Sequence, residues 1–123
     1  MAVPFWQAPV TSGYMEKFAL DLGGVNKGID YGPTRDMPVI DAIALADGTV
    51  IQAGSGSDGW GTSVKVRGAD GTIYNFGHLN IVNVSVGDTV SAGDLLGSVD
   101  FNQPTNGTST GPHLSADIWT SDG

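Results

Sequence analysis

The fold is decided by residues 84–99, VSVGDTVSAGDLLGSV, in which two valine-to-glycine turns each lead into a short apolar run. Glycine tolerates the positive φ angles of tight turns, so each turn predicts a chain reversal followed by a strand. Gly48-Thr49-Val50 precedes this stretch and is similar to Gly87–Val90, which suggests that one turn-and-strand unit is used twice. The stretch therefore predicts β structure built from repeated local units.

Seven short β-rich runs, separated by Gly, Asp and Asn residues, extend this pattern to most of the chain. Such a series is typical of an all-β sandwich or barrel. The runs are Val39–Leu45, Thr49–Ala53, Ser63–Arg67, Thr72–Phe76, Ile81–Val86, Leu95–Val99 and His113–Trp119.

The segments between the runs predict turns and loops. Asp47-Gly48 and Asp70-Gly71 each separate two runs, and Asp-Gly is suited to the two positive-φ positions of a type I′ hairpin turn. Met15–Leu22 has only faint helical character and is predicted to be a loop or a single turn. Phe101–Gly111 is polar and has no apolar period, so it is predicted to be a surface loop.

Composition limits the classes of function. A chain of 123 residues is predicted to form one domain, residues 1–123, which can bury a core without a metal or disulfides. The sequence has no cysteine, so any metal would need His, carboxylate or carbonyl ligands. The formal net charge of −8 repels phosphate backbones, and no stretch approaches transmembrane length, so neither nucleic acid nor a membrane is the expected partner.

The beginning of the chain bears on its location. Residues 1–10 show no basic region followed by a long apolar run, so no secretory signal is visible. For a complete gene product, the expected locations are the cytoplasm or a phage particle. The alternative is a domain excised from a longer extracellular protein.

A series of motifs resembles the lysostaphin-type zinc endopeptidases over roughly residues 8–119. In that family the domain is an all-β barrel-sandwich hybrid, and the resemblance implies this fold here. Biotinyl and lipoyl carriers share the two-turn pattern, but the chain has no lysine at a hairpin tip for attachment. The motifs, in order, are Pro9–Tyr14, Asp47–Gly54, Gly61 with a following strand, Tyr74–Leu79 (YNFGHL) and Ser109–Leu114 (STGPHL).

The resemblance also assigns site residues. The family binds zinc through the His and Asp of H-x-G-x-D and through the second His of H-x-H. Here the first motif is Asn26-Lys27-Gly28-Ile29-Asp30, which keeps Asp30 but has Asn26 at a ligand position. The last motif is His113-Leu114-Ser115, which has Ser115 in place of the second ligand histidine. His113 and His78 match the two histidines that assist the zinc-bound water.

The two replacements predict that zinc is absent and that the site is catalytically vestigial. A catalytic zinc needs about three protein ligands, and asparagine and serine oxygens are weak neutral donors. Without the ion, water is not acidified, and general-base action by the two histidines, worth about 10²- to 10⁴-fold, does not replace that effect.

These residues are expected to converge on one groove, which two further residues complete. The candidate groove is Asn26, Asp30, Trp60, His78, His113, Ser115 and Asp117. Strand alternation places Asp117 on the face of His113 and Ser115, where with Asp30 it would make an oxygen-rich site suited to calcium or magnesium. A solvated Asp117 is the preferred interpretation. Trp60 is flanked by glycines in a loop and is the tryptophan expected to be exposed; packing is the commoner role of tryptophan in a small β domain.

The leading functional hypothesis is a non-catalytic peptidase-fold module with a structural or binding role. It would serve in a phage virion, or bind a protein partner or peptidoglycan at a cell wall; association with further copies of itself is an open alternative. A second hypothesis is a peptidoglycan endopeptidase with an altered metal site. The third is a histidine phosphocarrier of the hybrid fold, which incubation with phosphohistidine donors would distinguish.

Overall fold

The structure of the chain is a computed structural model that describes residues 2–7, 10–13, 27–55, 61–100, 102 and 114–119. These residues form β-strands and one short 3-10 turn, and no helix among them is long and apolar enough to cross a membrane. The all-β prediction is confirmed. The strands are β1 (Ala2–Pro4), β2 (Val10–Gly13), β3 (Lys27–Tyr31), β4 (Val39–Ile43), β5 (Gly48–Ser55), β6 (Thr62–Gly68), β7 (Ile73–Gly77), β8 (Ile81–Val82), β9 (Thr89–Val90), β10 (Leu95–Asp100) and β11 (Leu114–Trp119).

The strands are arranged in two sheets. A four-stranded sheet has the order β1-β4-β10-β8, and a seven-stranded sheet has the order β2-β3-β11-β7-β6-β5-β9. The pairing of β1 with β4 is parallel, and the other described pairs are antiparallel. Each of the seven predicted runs overlaps a strand. The Met15–Leu22 and Phe101–Gly111 predictions lie outside the described residues, apart from Asn102.

The two glycine turns of the opening stretch have the same geometry. In Ser85–Asp88 the serine amide donates to the aspartate carboxylate at 2.9 Å, and in Ser91–Asp94 it does so at 2.8 Å. Gly87 has a φ of 95° and Gly93 a φ of 96°, which a residue with a Cβ rarely adopts. The amide of Gly87 donates to the carbonyl of Val50 on β5 at 2.8 Å. The amide of Gly93 donates to the carbonyl of Ala44, the residue after β4, also at 2.8 Å. The repeated sequence pattern thus produces a repeated structural unit.

The two Asp-Gly pairs have different outcomes. Asp70-Gly71 does connect the antiparallel hairpin β6–β7, but only Gly71 has a positive φ, 85°, so the turn is not type I′. The carboxylate of Asp70 instead accepts the amide of Thr72 at 2.9 Å. The Asp47-Gly48 hairpin prediction is wrong, because β4 and β5 lie in different sheets. A Cβ on Gly48 would lie 2.4 Å from the carbonyl oxygen of Arg67, so this glycine permits close strand approach rather than a turn.

The apolar core lies where the two sheets face each other. Ile40 and Leu96 from the four-stranded sheet and Val64 and Phe76 from the seven-stranded sheet are almost fully buried in one cluster. Phe5 closes this cluster through edge-to-face contacts, 5.1 Å from the ring of Tyr31 and 5.4 Å from that of Phe76. Because side chains alternate between the two faces of a strand, the face of the seven-stranded sheet opposite this core is available to polar residues.

Candidate functional site

Residues far apart in sequence are brought together by β11, which lies between β3 and β7 in the seven-stranded sheet. Ser115 pairs directly with Asp30 on one side and with Gly77 on the other. His78 follows Gly77 immediately in sequence. The register therefore brings together three of the predicted positions, those of Asp30, His78 and Ser115.

His78 has an unusual backbone conformation. Its φ is 63°, and it is the only non-glycine residue with a positive φ in the described part of the chain. The left-handed conformation costs an L-residue about 1–2 kcal/mol, so the surroundings must hold it. The side chain is buried, and the next amide, that of Leu79, donates to the carbonyl of Thr62 at 2.9 Å. The chain thus turns sharply at the end of β7 while the imidazole stays inside the fold.

A row of polar residues crosses the sheet next to these positions. Gln52, Lys65, Asn75 and Asp117 are paired in register across β5, β6, β7 and β11. Lys65 and Asp117 are each only 7% exposed, and Asn75 is fully buried. Buried charges are costly unless they have polar partners, so such a row requires hydrogen bonds.

The hydrogen bonds of this row are mostly formed. The Lys65 ammonium donates to the side-chain oxygen of Gln52 at 3.2 Å, and the Gln52 amide nitrogen donates to the Ser63 hydroxyl at 2.8 Å. The Nδ2 atom of Asn75 donates to Asp117 at 3.4 Å, while its Oδ1 atom is buried without a partner. The preferred interpretation of Asp117 as a solvated residue is therefore wrong, because its position opposite Asn75 buries the carboxylate.

Several predicted site residues cannot be placed by this geometry. Asn26, Trp60 and His113 lie outside the described residues, and for Asp30 and Ser115 only the backbone is described. Convergence of all these residues on one groove therefore stays a prediction. Of the polar row, sequence reasoning predicted only Asp117 as a site residue. Ser63–Arg67 does alternate polar and apolar residues, but alternation alone assigns polar side chains to solvent.

The donors that the structure describes do not make up a zinc site. The residue opposite Asp30 is Ser115, whose hydroxyl is a neutral and weak zinc donor. Within the described ranges, no group of three or more His, Cys, Asp or Glu residues could hold a metal. The hydrogen bond from Asn75 to Asp117 favours a structural role for this carboxylate over calcium or magnesium binding.

Three groups elsewhere in the described structure have shifted pKa values. Burial raises the pKa of Asp41 on β4 and also that of Tyr31, because desolvation disfavours the charged forms. The amide and hydroxyl of Thr72 lower the pKa of Asp70 in the hairpin turn by hydrogen bonding to its carboxylate. Neither Asp41 nor Asp70 belongs to the candidate groove.

Comparison with known proteins gives a consistent family assignment. The model of peptidase family M23 matches residues 24–123. The chain is 34% identical to lysostaphin of Staphylococcus staphylolyticus over 74% of its own length, and 29% identical to the murein hydrolase activator NlpD of Escherichia coli over 76%. It spans only 18% and 24% of the lengths of these two proteins.

Solved structures support the same fold. The catalytic domain of the antimicrobial peptidase lysostaphin from Staphylococcus simulans superposes with a TM-score of 0.71 at 28% identity. The match covers 93% of this chain and 81% of the lysostaphin domain. The predicted fold class, that of the lysostaphin-type domains, is confirmed.

Proposed function

The chain belongs to peptidase family M23, and from this membership we propose that it is a non-catalytic peptidase-fold module that binds a protein partner or peptidoglycan. The proposal rests on the position of Ser115. The resemblance places a zinc-ligating histidine at this position, and the register puts it directly opposite Asp30. A serine beside the one retained ligand leaves the site without the imidazole that zinc affinity requires.

Loss of the metal removes the chemistry but not the surface. A peptidase of this kind depends on the ion to acidify water and to polarise the scissile carbonyl. The described fold still has the family architecture, and in its polar row Lys65 donates to Gln52 and Asn75 donates to Asp117. A surface shaped for a peptide can therefore still bind one after turnover has ceased.

The relatives support a binding role of this kind. One relative is named as an antimicrobial peptidase and another as an activator of murein hydrolases, so the family fold is not restricted to a single role. We propose that the partner is a cell-wall hydrolase or the peptidoglycan itself. The setting we propose is a phage particle or the cell wall, where peptidoglycan is encountered.

The test is a pair of assays on purified peptidoglycan. Incubation of the unmodified chain with sacculi, with and without added zinc, is expected to give no loss of turbidity. If peptidoglycan is the partner, the chain is expected to co-sediment with the sacculi. If a wall hydrolase is the partner, the chain is expected to accelerate clearing of the sacculi by the added hydrolase. Clearing by the unmodified chain that a chelator abolishes would overturn the non-catalytic assignment.

A matched pair of variants locates the binding surface. Ser115→Arg introduces a long charged side chain next to Asp30 and is expected to abolish co-sedimentation or activation. Ser91→Arg makes the same change in an exposed turn and is expected to leave both unchanged. Equal effects of the two variants, or the absence of both activities from the unmodified chain, would contradict the proposed role.

A further inference from the structure

A second candidate site lies at one edge of the seven-stranded sheet. A cavity of about 410 Å³ is formed where β9, β5 and β6 meet the turn after β6. Its lining includes Asp47, Thr49, Ile51, Arg67 and Thr89. This volume falls within the lower part of the range of small-ligand pockets.

The cavity brings a guanidinium and two hydroxyls into one row. Thr49 pairs with Arg67 on β6 and with Thr89 on β9, so alternation places these three side chains on the same face. All three residues are exposed. Within the described ranges, Arg67 forms no ion pair, although the chain carries thirteen acidic residues against five basic ones. Its charge is therefore available to a ligand.

The other polar group of the cavity restricts the ligand further. The Oδ1 atom of Asp47 accepts the amide of Ala92 at 2.8 Å, which fixes this carboxylate at the cavity and leaves its second oxygen for another donor. A negative charge in the same cavity as Arg67 disfavours a dianion such as a phosphate monoester. A carboxylate monoanion with a neighbouring N–H group suits both charges, and Ile51 adds an apolar contact.

We propose that this cavity binds the carboxyl end of a peptide, with the terminal carboxylate on Arg67 and a peptide N–H on Asp47. Guanidinium presents a planar fork that can hold both oxygens of a carboxylate, and the threonine hydroxyls supply further donors. The site is separate from the groove of the proposed function and does not depend on it. Arg67 pairs with Ile73, and Ile73 pairs with Trp119, which is four residues, about 14 Å, from Ser115 along β11.

The test uses two peptides that differ only at the carboxyl end. N-acetyl-triglycine and N-acetyl-triglycinamide are titrated into the full chain, and backbone amide shifts are followed by NMR. The acid is expected to shift the amide signals of Gly48, Gly68 and Ala69 in a saturable way. The amide-capped peptide is expected to bind about tenfold more weakly, because it lacks the charge-assisted hydrogen bonds between the carboxylate and the guanidinium.

Variants and an inorganic anion complete the experiment. Arg67→Gln is expected to abolish the preference for the acid, and Arg67→Lys, which keeps the charge but not the fork, is expected to retain only part of it. Arg35→Gln removes the same charge from an exposed loop and serves as the matched control. Equal binding of both peptides, an equal loss in the Arg35 variant, or no saturable shift would overturn the proposal. Inorganic phosphate binding as tightly as the acid would overturn the carboxylate assignment.

Discussion

Restoring the two missing imidazoles should convert this chain into a zinc-binding protein. The perturbation is the double substitution Asn26→His and Ser115→His, which supplies both ligand positions while Asp30 is kept. Directly opposed residues of an antiparallel pair have Cβ atoms about 4.5–5.5 Å apart, so side chains at positions 30 and 115 are close enough to share an ion. Three ligands with one open position satisfy a zinc site.

The expected size of the effect follows from mass action. At a free zinc concentration 100-fold above the dissociation constant, binding to the native state alone adds about 2.7 kcal/mol to the free energy of unfolding. For 123 residues, the entropy of unfolding near the midpoint is about 0.26 kcal/mol/K, by scaling the typical value per residue. Dividing the first quantity by the second gives a rise in Tm of about 10 °C.

Scanning calorimetry with and without zinc measures this rise, and elemental analysis after buffer exchange counts the bound ions. The unmodified chain and each single variant are expected to shift by less than about 1 °C, because one or two ligands hold zinc weakly. Ser91→His, in an exposed turn, controls for the added histidine. Cleavage of glycine-rich peptides by the double variant is expected to stay low, since catalysis also needs outer hydrogen bonds that orient each imidazole.

Two results would refute this reasoning. About one tightly held zinc per unmodified chain would show that the replacements do not remove the metal. No zinc uptake by the double variant would show that positions 26, 30 and 115 do not form the site that the resemblance assigns.

Three further predictions concern the fold. Asp117→Ala removes the carboxylate that accepts the hydrogen bond from Asn75. It should lower the free energy of unfolding, measured by urea titration, by about 1–3 kcal/mol, because a buried donor is left unsatisfied. A loss below about 0.5 kcal/mol would contradict the structural role of the polar row. Gly97→Ala places a Cβ 2.4 Å from the carbonyl oxygen of Ile81. This overpacking should lower the free energy of unfolding by about 1–3 kcal/mol. An unchanged Tm would show that β8 and β10 can move apart at this point without cost. Burial raises the pKa of Asp41, so the stability that this group contributes is present at acid pH and is lost as pH rises through the raised pKa. Asp41→Asn should therefore raise Tm relative to the unmodified chain at pH 7 but not at pH 3, and a difference independent of pH would contradict the assignment.

Local features of the fold follow from the sequence alone. The turns Ser85–Asp88 and Ser91–Asp94 are specified by residues within four positions of each other, because an aspartate bonds a nearby amide and glycine alone readily adopts the positive φ. The alternation of Ser63–Arg67 likewise predicts a strand with one apolar face. The assignment of Asn26 and Ser115 to zinc-ligand positions also comes from sequence, through the resemblance of their motifs to those of the family.

Partnerships between distant segments were decided only by the tertiary structure. Asp47-Gly48 has the sequence of a hairpin turn, yet the flanking strands pair with other strands, because sheet pairing depends on the burial of whole apolar faces. From sequence, Asp117 is predicted to be a surface carboxylate, whereas the register of β11 with β7 places it opposite the buried Asn75. The cavity at Arg67 likewise needs β9, β5 and β6 side by side. Short-range turn chemistry is encoded within a few residues, whereas burial and site geometry depend on which strands become neighbours, a cooperative property of the whole chain.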